Sequence, residues 1–217
     1  MRTLVLAAII AAIPAAGFAQ THRAYINGTG GFATTPDGTS GELSGEAGVK
    51  VAPHLYLFGD VGQYHNLQPS SLQPTLDATS ATLASLGVGV TGTARVPAWY
   101  STGGVRAAIP TGSRFTPYVF GSLGMAHLMP HATFSYDGGT LADSAPVAGD
   151  DVTSTLVTLG DFTQPASSNA LMLTTGGGIE APIAKRVVFD ASYHFSHVNA
   201  DTPLHAQGLA FGVGYRF

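Results

Sequence analysis

The sequence contains no cysteine, little charge and, beyond its N-terminal segment, no long hydrophobic run. Without cysteine the fold cannot depend on disulfide bonds. Charged residues make up 10% of the 217 residues, against about a quarter in an ordinary soluble protein. The formal net charge is −4 and Lys and Arg are not clustered, which argues against a nucleic-acid partner. No later stretch approaches about 18 continuous apolar residues, so the sequence predicts no helical membrane anchor there.

The N-terminal segment has the pattern of an export signal. Met1 and Arg2 form a basic start, residues 4–13 are apolar, and small residues lie at the −3 and −1 positions before Gln20. These are the three parts of a secretory signal peptide. The alternative is a membrane-spanning helix, but the apolar run is too short to cross about 30 Å of hydrocarbon. We therefore predict a cleaved signal peptide over residues 1–19 and one exported domain over residues 20–217.

The chain is rich in glycine and in alternating apolar residues. It has 28 glycines, 45% hydrophobic residues and a mean hydropathy of +0.22. In its last nine residues, large apolar side chains occupy every second position, and Gly, Ala and Arg lie between them: Leu209, Phe211, Val213, Tyr215 and Phe217. A period of two indicates a β-strand with one hydrophobic face. A closed barrel in lipid would bury that face in acyl chains and pair the strand edge.

Eight alternating segments can be traced along the chain. They lie at about 23–32, 42–51, 54–65, 98–109, 117–128, 170–181, 186–198 and from 205 to the end. We expect longer loops after the first, third, fifth and seventh segments than after the others, which is the asymmetry of outer-membrane barrels. The sequence predicts an all-β fold, an eight-stranded antiparallel up-and-down transmembrane β-barrel. A soluble barrel or sandwich is the alternative, but its solvent-exposed face would have many more Lys and Glu residues than this chain has.

Two long loops are predicted, at about 66–97 and 129–168. In the first, leucines at roughly helical spacing over residues 75–86 favour a short helix, and residues 86–93 favour an extra strand nearly as well. In the second, Thr and Ser alternate with Leu and Val over residues 153–159. That alternation predicts a hairpin projecting outside, within an otherwise irregular region.

The chain resembles the small outer-membrane β-barrel family, which includes OmpA-like transmembrane domains, OmpX- and OmpW-type proteins and the opacity surface antigens. Four segments carry the resemblance: residues 116–124 (TPYVFGSLG), 175–180 (TGGGIE), 189–195 (FDASYHF) and 211–217 (FGVGYRF). It covers the exported domain except its long loops. It implies localisation in the cell outer membrane, contact with lipid and lipopolysaccharide, and folding by periplasmic chaperones and the barrel-assembly machinery. Tyr215 and Phe217 match the C-terminal assembly signal of that family.

Charged residues fall on the face of the strands that would line the lumen. They are Glu46, Lys50, Asp60, Arg106, Glu180, Asp190 and Arg216. Because an eight-stranded barrel is only wide enough for side chains and a few waters, we interpret these charges as a salt-bridge network filling the lumen. The alternative is a narrow polar channel. The sequence does not fix the strand registers, so it does not assign the pairs.

Histidines form a second group, near the predicted outer ends of the strands. They are His65, His127, His131, His194, His197 and His205. Imidazoles bind zinc or copper, but spacings of three and four on a strand do not place side chains together. We interpret these histidines as residues of the barrel rim at the membrane interface, and we predict no metal or other cofactor.

His194 and Ser196 resemble part of the His-x-Ser element of lipid A deacylases. The deacylases have Asn at the position that His197 occupies here. The side chains of His194 and Ser196 should both point inward, away from lipid. No acidic partner can be placed beside them from the sequence. We therefore predict no catalytic residue.

The sequence predicts a monomeric, non-enzymatic protein with an envelope structural or surface role, whose loops contact other molecules. A narrow pore for small solutes or ions is the first alternative, and a lipid A-modifying enzyme is the second.

Overall fold

The computed structural model describes residues 23–36, 38–67, 72–141 and 146–217. The predicted signal peptide lies outside these residues and stays a prediction. The described part contains ten strands and two helices. The strands are β1 (Ala24–Thr35), β2 (Gly38–Ala52), β3 (Leu55–Tyr64), β4 (Val88–Arg95), β5 (Ala98–Ala108), β6 (Thr116–Leu128), β7 (His131–Gly139), β8 (Ser168–Pro182), β9 (Val187–Asn199) and β10 (Leu204–Arg216). The helices are α1 (Leu72–Ser85) and α2 (Thr153–Leu159).

Eight of the strands form a closed antiparallel barrel. Their order around the wall is β1-β10-β9-β8-β6-β5-β3-β2. The closing pair joins β1 to β10, with Ile26 opposite Tyr215 and Phe32 opposite Leu209. The predicted fold class is confirmed, and all eight predicted segments are barrel strands.

The two faces of the wall differ as the period of two requires. Large apolar side chains point outward and stay exposed in the isolated chain, among them Leu123 (54%) and Val213 (56%). Inward side chains on the same strands are buried, such as Ser122 at 6%. An outer surface of this kind is stable only against hydrocarbon. No helix in the described ranges is long and apolar enough to cross a membrane.

The predicted alternation of loop lengths is only partly right. The connection from β1 to β2 was expected to be long, but it has two residues, the same as the short turn from β2 to β3. The connection from β9 to β10 was also expected to be long, but it has four residues, the same as the turn from β8 to β9. Only the connections from β3 to β5 and from β6 to β8 are long. The strands of the first hairpin continue pairing as far as Thr35 and Gly38, which shortens the loop that the sequence predicted there.

The two long connections fold together into an external lobe, which we define as α1, β4, β7 and α2. In the first connection, α1 and β4 are both present, so the helix and the strand are not alternatives. In the second, β7 pairs antiparallel with β4, where the sequence predicted irregular chain. Leu76, Phe134 and Leu156 are 0% exposed and belong to a hydrophobic core within the lobe.

The predicted hairpin at residues 153–159 is wrong, because these residues form α2. Thr153 and Leu156 are buried at helical spacing. Asp151 accepts hydrogen bonds from the backbone N–H (2.9 Å) and hydroxyl (2.5 Å) of Thr153, where the helix begins. Gly160 ends the helix with φ of 84°, a conformation that favours glycine. Burial of Leu156 in the core of the lobe outweighs the β propensity of the Thr and Val residues.

Candidate functional site

Arg106 forms ion pairs with several strands of the barrel, in the half of the lumen nearer the short turns. Its guanidinium lies 3.2 Å from Glu46 on β2, 2.7 Å from Glu180 on β8 and 3.6 Å from Asp190 on β9. Arg216 on β10 contacts the other oxygen of Glu180. The side chain of Arg106 is 4% exposed and that of Asp190 is 1% exposed. Five of the seven predicted lumen charges therefore meet in one cluster, which we call the Arg106 network.

Two tyrosines complete this network. The Arg106 guanidinium lies over the ring of Tyr118, 3.5 Å from its centroid, and 5.0 Å from the centroid of Tyr25. Cations are attracted to such ring faces, most strongly where water is excluded. The hydroxyl of Tyr118 donates to Asp190 at 2.9 Å, and that of Tyr25 donates to Glu46. With Arg216, the network therefore links seven of the eight barrel strands.

Lys50 and Asp60 do not form ion pairs with other described residues. Lys50 is half-buried at the end of β2. Asp60 lies opposite Glu46 across the β2–β3 pair, and one of its oxygens is buried without a hydrogen-bond partner among the described residues. The structure thus brings Asp60 close to the network in register but leaves it outside the ion pairs.

The sequence reasoning missed Glu42, which contacts His194 further out in the lumen. Glu42 Oε2 and His194 Nε2 are 3.2 Å apart, with side chains 5% and 8% exposed. The hydroxyl of Tyr100 donates to Glu42 at 3.2 Å. The inward alternation of β2 places Glu42 and Glu46 on the same face, which is the signal that could have identified Glu42.

Ser196 lies in the lumen without contacting His194. Its hydroxyl is 3.0 Å from Thr174 Oγ1 and 3.5 Å from the hydroxyl of Tyr64. His194 is in contact with Glu42 instead, so an acid does lie beside this histidine, although none could be placed there from the sequence. An activated serine needs a base within hydrogen-bond reach, and lipid is on the other side of the wall.

An apolar plug closes the outer end of the lumen. It includes Leu67 and Val96 from the first long connection, at 0% and 1% exposure, with Tyr64, Met172 and Leu204 from the wall. The backbone N–H of Leu67 donates to the carbonyl of Val96 at 2.7 Å. Between this plug and the Arg106 network lies a cavity of about 50 Å³ lined by polar groups such as Asn27, Asp60 and His194. That volume holds about three to five waters.

Glycines on the inner face make room for the large rings that fill the lumen. A Cβ added to Gly62 would lie 2.5 Å from the ring of Tyr100, and one added to Gly178 would lie 2.5 Å from the hydroxyl of Tyr118. Both distances are far below van der Waals contact. Glycines at these inward positions therefore allow the tyrosines to pack against neighbouring strands.

The histidines do not converge on one site. His197 and His205 face each other across β9 and β10, with ring nitrogens 3.2 Å apart. His65 contacts Arg95, and His127 contacts Asn169 at 2.8 Å. Among the described residues no group of three or more His, Cys, Asp or Glu residues could hold a metal ion.

Comparison with known proteins identifies the family. The family model described as outer membrane protein beta-barrel domain matches residues 3–217. The chain belongs to the outer-membrane β-barrel family. This protein is therefore located in the cell outer membrane and surrounded by membrane lipid, as its apolar outer face requires.

Three solved structures are similar to this family member at low sequence identity. A major outer membrane protein from Thermus thermophilus is 13% identical, with a TM-score of 0.54, covering 90% of this chain and 100% of that chain. Neisserial surface protein A is 16% identical (TM-score 0.48), covering 89% and 96%. The attachment invasion locus protein of Yersinia pestis is also 16% identical (TM-score 0.46), covering 90% and 97%. None of the curated proteins matches this chain. These similarities concern the fold alone.

Proposed function

We propose that this protein is a monomeric, non-enzymatic and non-conducting surface protein of the outer membrane. Its barrel is the anchor, and its external lobe is the part that contacts other molecules. The observation that supports this proposal most directly is the closed lumen. A solute entering from outside meets the apolar plug around Leu67 and Val96, and beyond it the Arg106 network.

The lobe supports a surface role because it has a hydrophobic core of its own and a polar outer face. Thr91, Thr93 and Thr133 point away from the core and are exposed. Thr91 donates a hydrogen bond to Asp137 at 2.7 Å across the two strands. A rigid scaffold that presents polar loops is the usual arrangement of binding surfaces on barrels.

The position of Ser196 favours a non-enzymatic role. It lies inside the wall and contacts Thr174 rather than His194, so an acyl chain in the bilayer would not reach an activated hydroxyl. Loss of an acyl chain from lipopolysaccharide, prevented by Ser196→Ala, would contradict this proposal.

Planar-bilayer conductance tests the closed lumen. The full chain should insert without single-channel steps, whereas reproducible steps would favour the narrow pore. A variant with Leu67→Gly and Val96→Gly opens the outer plug alone, and it should stay silent as long as the Arg106 network is intact. Insertion is verified in each case by protease protection of the barrel strands.

The binding role of the lobe is tested on cells that display the protein. Bacteria displaying the full chain and bacteria in which short Gly-Ser turns replace residues 72–94 and 131–162 are applied to an array of glycans and extracellular matrix proteins. The proposal expects a bound spot that the shortened chain loses. A variant with Thr93→Glu provides a control that keeps the lobe folded and alters its outer face only.

We also propose that lipopolysaccharide surrounds the outer half of the barrel and that the barrel-assembly machinery and periplasmic chaperones fold it. Tyr215 and Phe217 lie on β10 and just after it, with ring centroids 5.0 Å apart. Their role as an assembly signal is tested by Phe217→Ser, which should lower the folded yield in cells without affecting refolding of the purified chain into vesicles.

A further inference from the structure

The charges outside the lumen are divided between the two ends of the barrel. At the end with the short turns they are all basic. Arg23 precedes β1, Arg114 is between β5 and β6, and Lys185 and Arg186 are between β8 and β9. No Asp or Glu lies at this end among the described residues outside the lumen. We call these four residues the basic ring, because they lie at three separate points around this end of the barrel.

The opposite end is acidic. Arg95 is the basic residue there among the described ranges, and it contacts His65. The acidic residues are Asp77, Asp137, Asp150, Asp151, Asp161 and Asp201. In outer-membrane barrels the short turns are periplasmic and the long loops are external, so the basic ring faces the periplasm.

An apolar collar borders the basic ring on the membrane side. Phe115 follows Arg114 directly and is 58% exposed, and Ile183 precedes Lys185 and is 64% exposed. Phe217 is 55% exposed at the end of β10. Side chains that alternate in this way keep their apolar groups in hydrocarbon while the cations reach the headgroups.

We infer that the basic ring binds the phosphate headgroups of anionic phospholipids in the periplasmic leaflet. The cations are spread around the circumference, as a lipid shell requires, whereas a protein partner would need one contiguous patch. The collar fixes their depth at the membrane surface, where each Lys or Arg attracts anionic lipid. This inference depends on the orientation of the barrel and not on the proposed role of the lobe.

Spin-labelled lipids test the inference on the full exported chain in vesicles. The vesicles are phosphatidylcholine with a minority of phosphatidylglycerol, and the measurement compares how strongly each labelled lipid associates with the protein surface. The test variant replaces Arg114, Lys185 and Arg186 together with Gln. Arg95→Gln is the control for position, because it removes a cation at the acidic end.

The full chain should prefer phosphatidylglycerol by about two- to fivefold at low salt, and about 1 M salt should abolish the preference. The triple variant, which keeps Arg23, should lose most of that preference, and the control should keep it in full. The inference is overturned if the full chain has no preference, or if the triple variant keeps it. It is also overturned if the full chain binds isolated peptidoglycan through these residues and shows no lipid preference. Should the triple variant fail to fold, the salt dependence of the full chain decides.

Discussion

Arg106 is the residue whose loss should destabilise the barrel most. Arg106→Met keeps most of the length of the side chain and removes its charge, which leaves Glu46, Glu180 and Asp190 without their shared cation. Removing one partner of a buried ion pair costs about 3–5 kcal/mol, because the remaining charge stays uncompensated. The substitution also removes the cation–π contact of the guanidinium with Tyr118, which contributes about 0.5–2 kcal/mol. We therefore expect the free energy of unfolding to fall by about 3–5 kcal/mol in total. This figure already contains part of the loss of the cation–π contact.

Trp99 reports this change directly. It is the single tryptophan of the chain and is 56% exposed on the outer face, so its emission shifts when the barrel leaves the bilayer. Reversible urea unfolding from lipid vesicles gives the free energy for each variant. Arg95→Gln is the control, because exposed pairs contribute about 1 kcal/mol or less.

A second substitution separates the charge from the packing. Arg106→Met combined with Glu180→Gln removes a cation and the carboxylate closest to it, and it should recover part of the lost stability through a coupling of about 1 kcal/mol or more. If Arg106→Met costs less than about 1 kcal/mol, or if the second change adds its own full cost, the Arg106 network does not hold the lumen closed in the way described.

Three further outcomes follow from the packing of the wall and the lobe. Gly31→Ala places a Cβ 2.2 Å from a backbone oxygen of β10 and should cost about 1–3 kcal/mol, whereas Gly28→Ala meets nothing within 4 Å and should change stability little in the same urea assay. Leu123→Arg on the lipid face should cost about 2–4 kcal/mol, and a loss below about 1 kcal/mol would contradict a mid-bilayer position. Hydrogen bonds from Thr153 lower the pKa of Asp151 below its usual value, so this carboxylate stabilises the lobe above pH about 4 and loses that effect as the pH falls through its lowered pKa. Asp151→Asn should remove this pH dependence from the hydrogen-exchange protection of the Phe134 amide, which donates to Thr153, and an unchanged acid dependence would contradict this role.

The barrel could be predicted from the sequence because lipid imposes one simple rule on every strand. Outward positions such as Leu123 and Val213 must be apolar, so the period of two persists along each strand. The inward tyrosines were not predicted. Tyr100 and Tyr118 are apolar enough to be taken for either face, and their packing against Gly62 and Gly178 on neighbouring strands fixes their direction.

The pairs within the lumen could not be predicted, although the charged residues could be named. Arg106 and Glu180 are far apart in sequence and meet because β5 and β8 both pair with β6. One residue of slip in either register would turn a charge toward lipid. Glu42 was missed although the alternation of β2 places it on the face of Glu46, and only the registers show that its partner is His194 on β9.

The lobe was the least predictable part because it folds by contacts between two distant segments. β4 and β7 pair across the barrel strands β5 and β6 that separate them in the chain. Neither strand has a hydrophobic face that would be stable alone, and α2 has only seven residues. Asp151 just before the helix and Gly160 at its C-terminal end were the available signals for α2.

The central claim is that hydrocarbon lies outside the wall and a closed lumen lies inside it. Transfer of magnetisation from lipid acyl chains to methyl groups of the protein in nanodiscs measures this directly. We expect strong transfer to the methyls of Leu123 and Leu173, which are exposed on the outer face, and none to Met172, which is 1% exposed in the lumen. Transfer to Met172, or its absence at both leucines, would contradict the account.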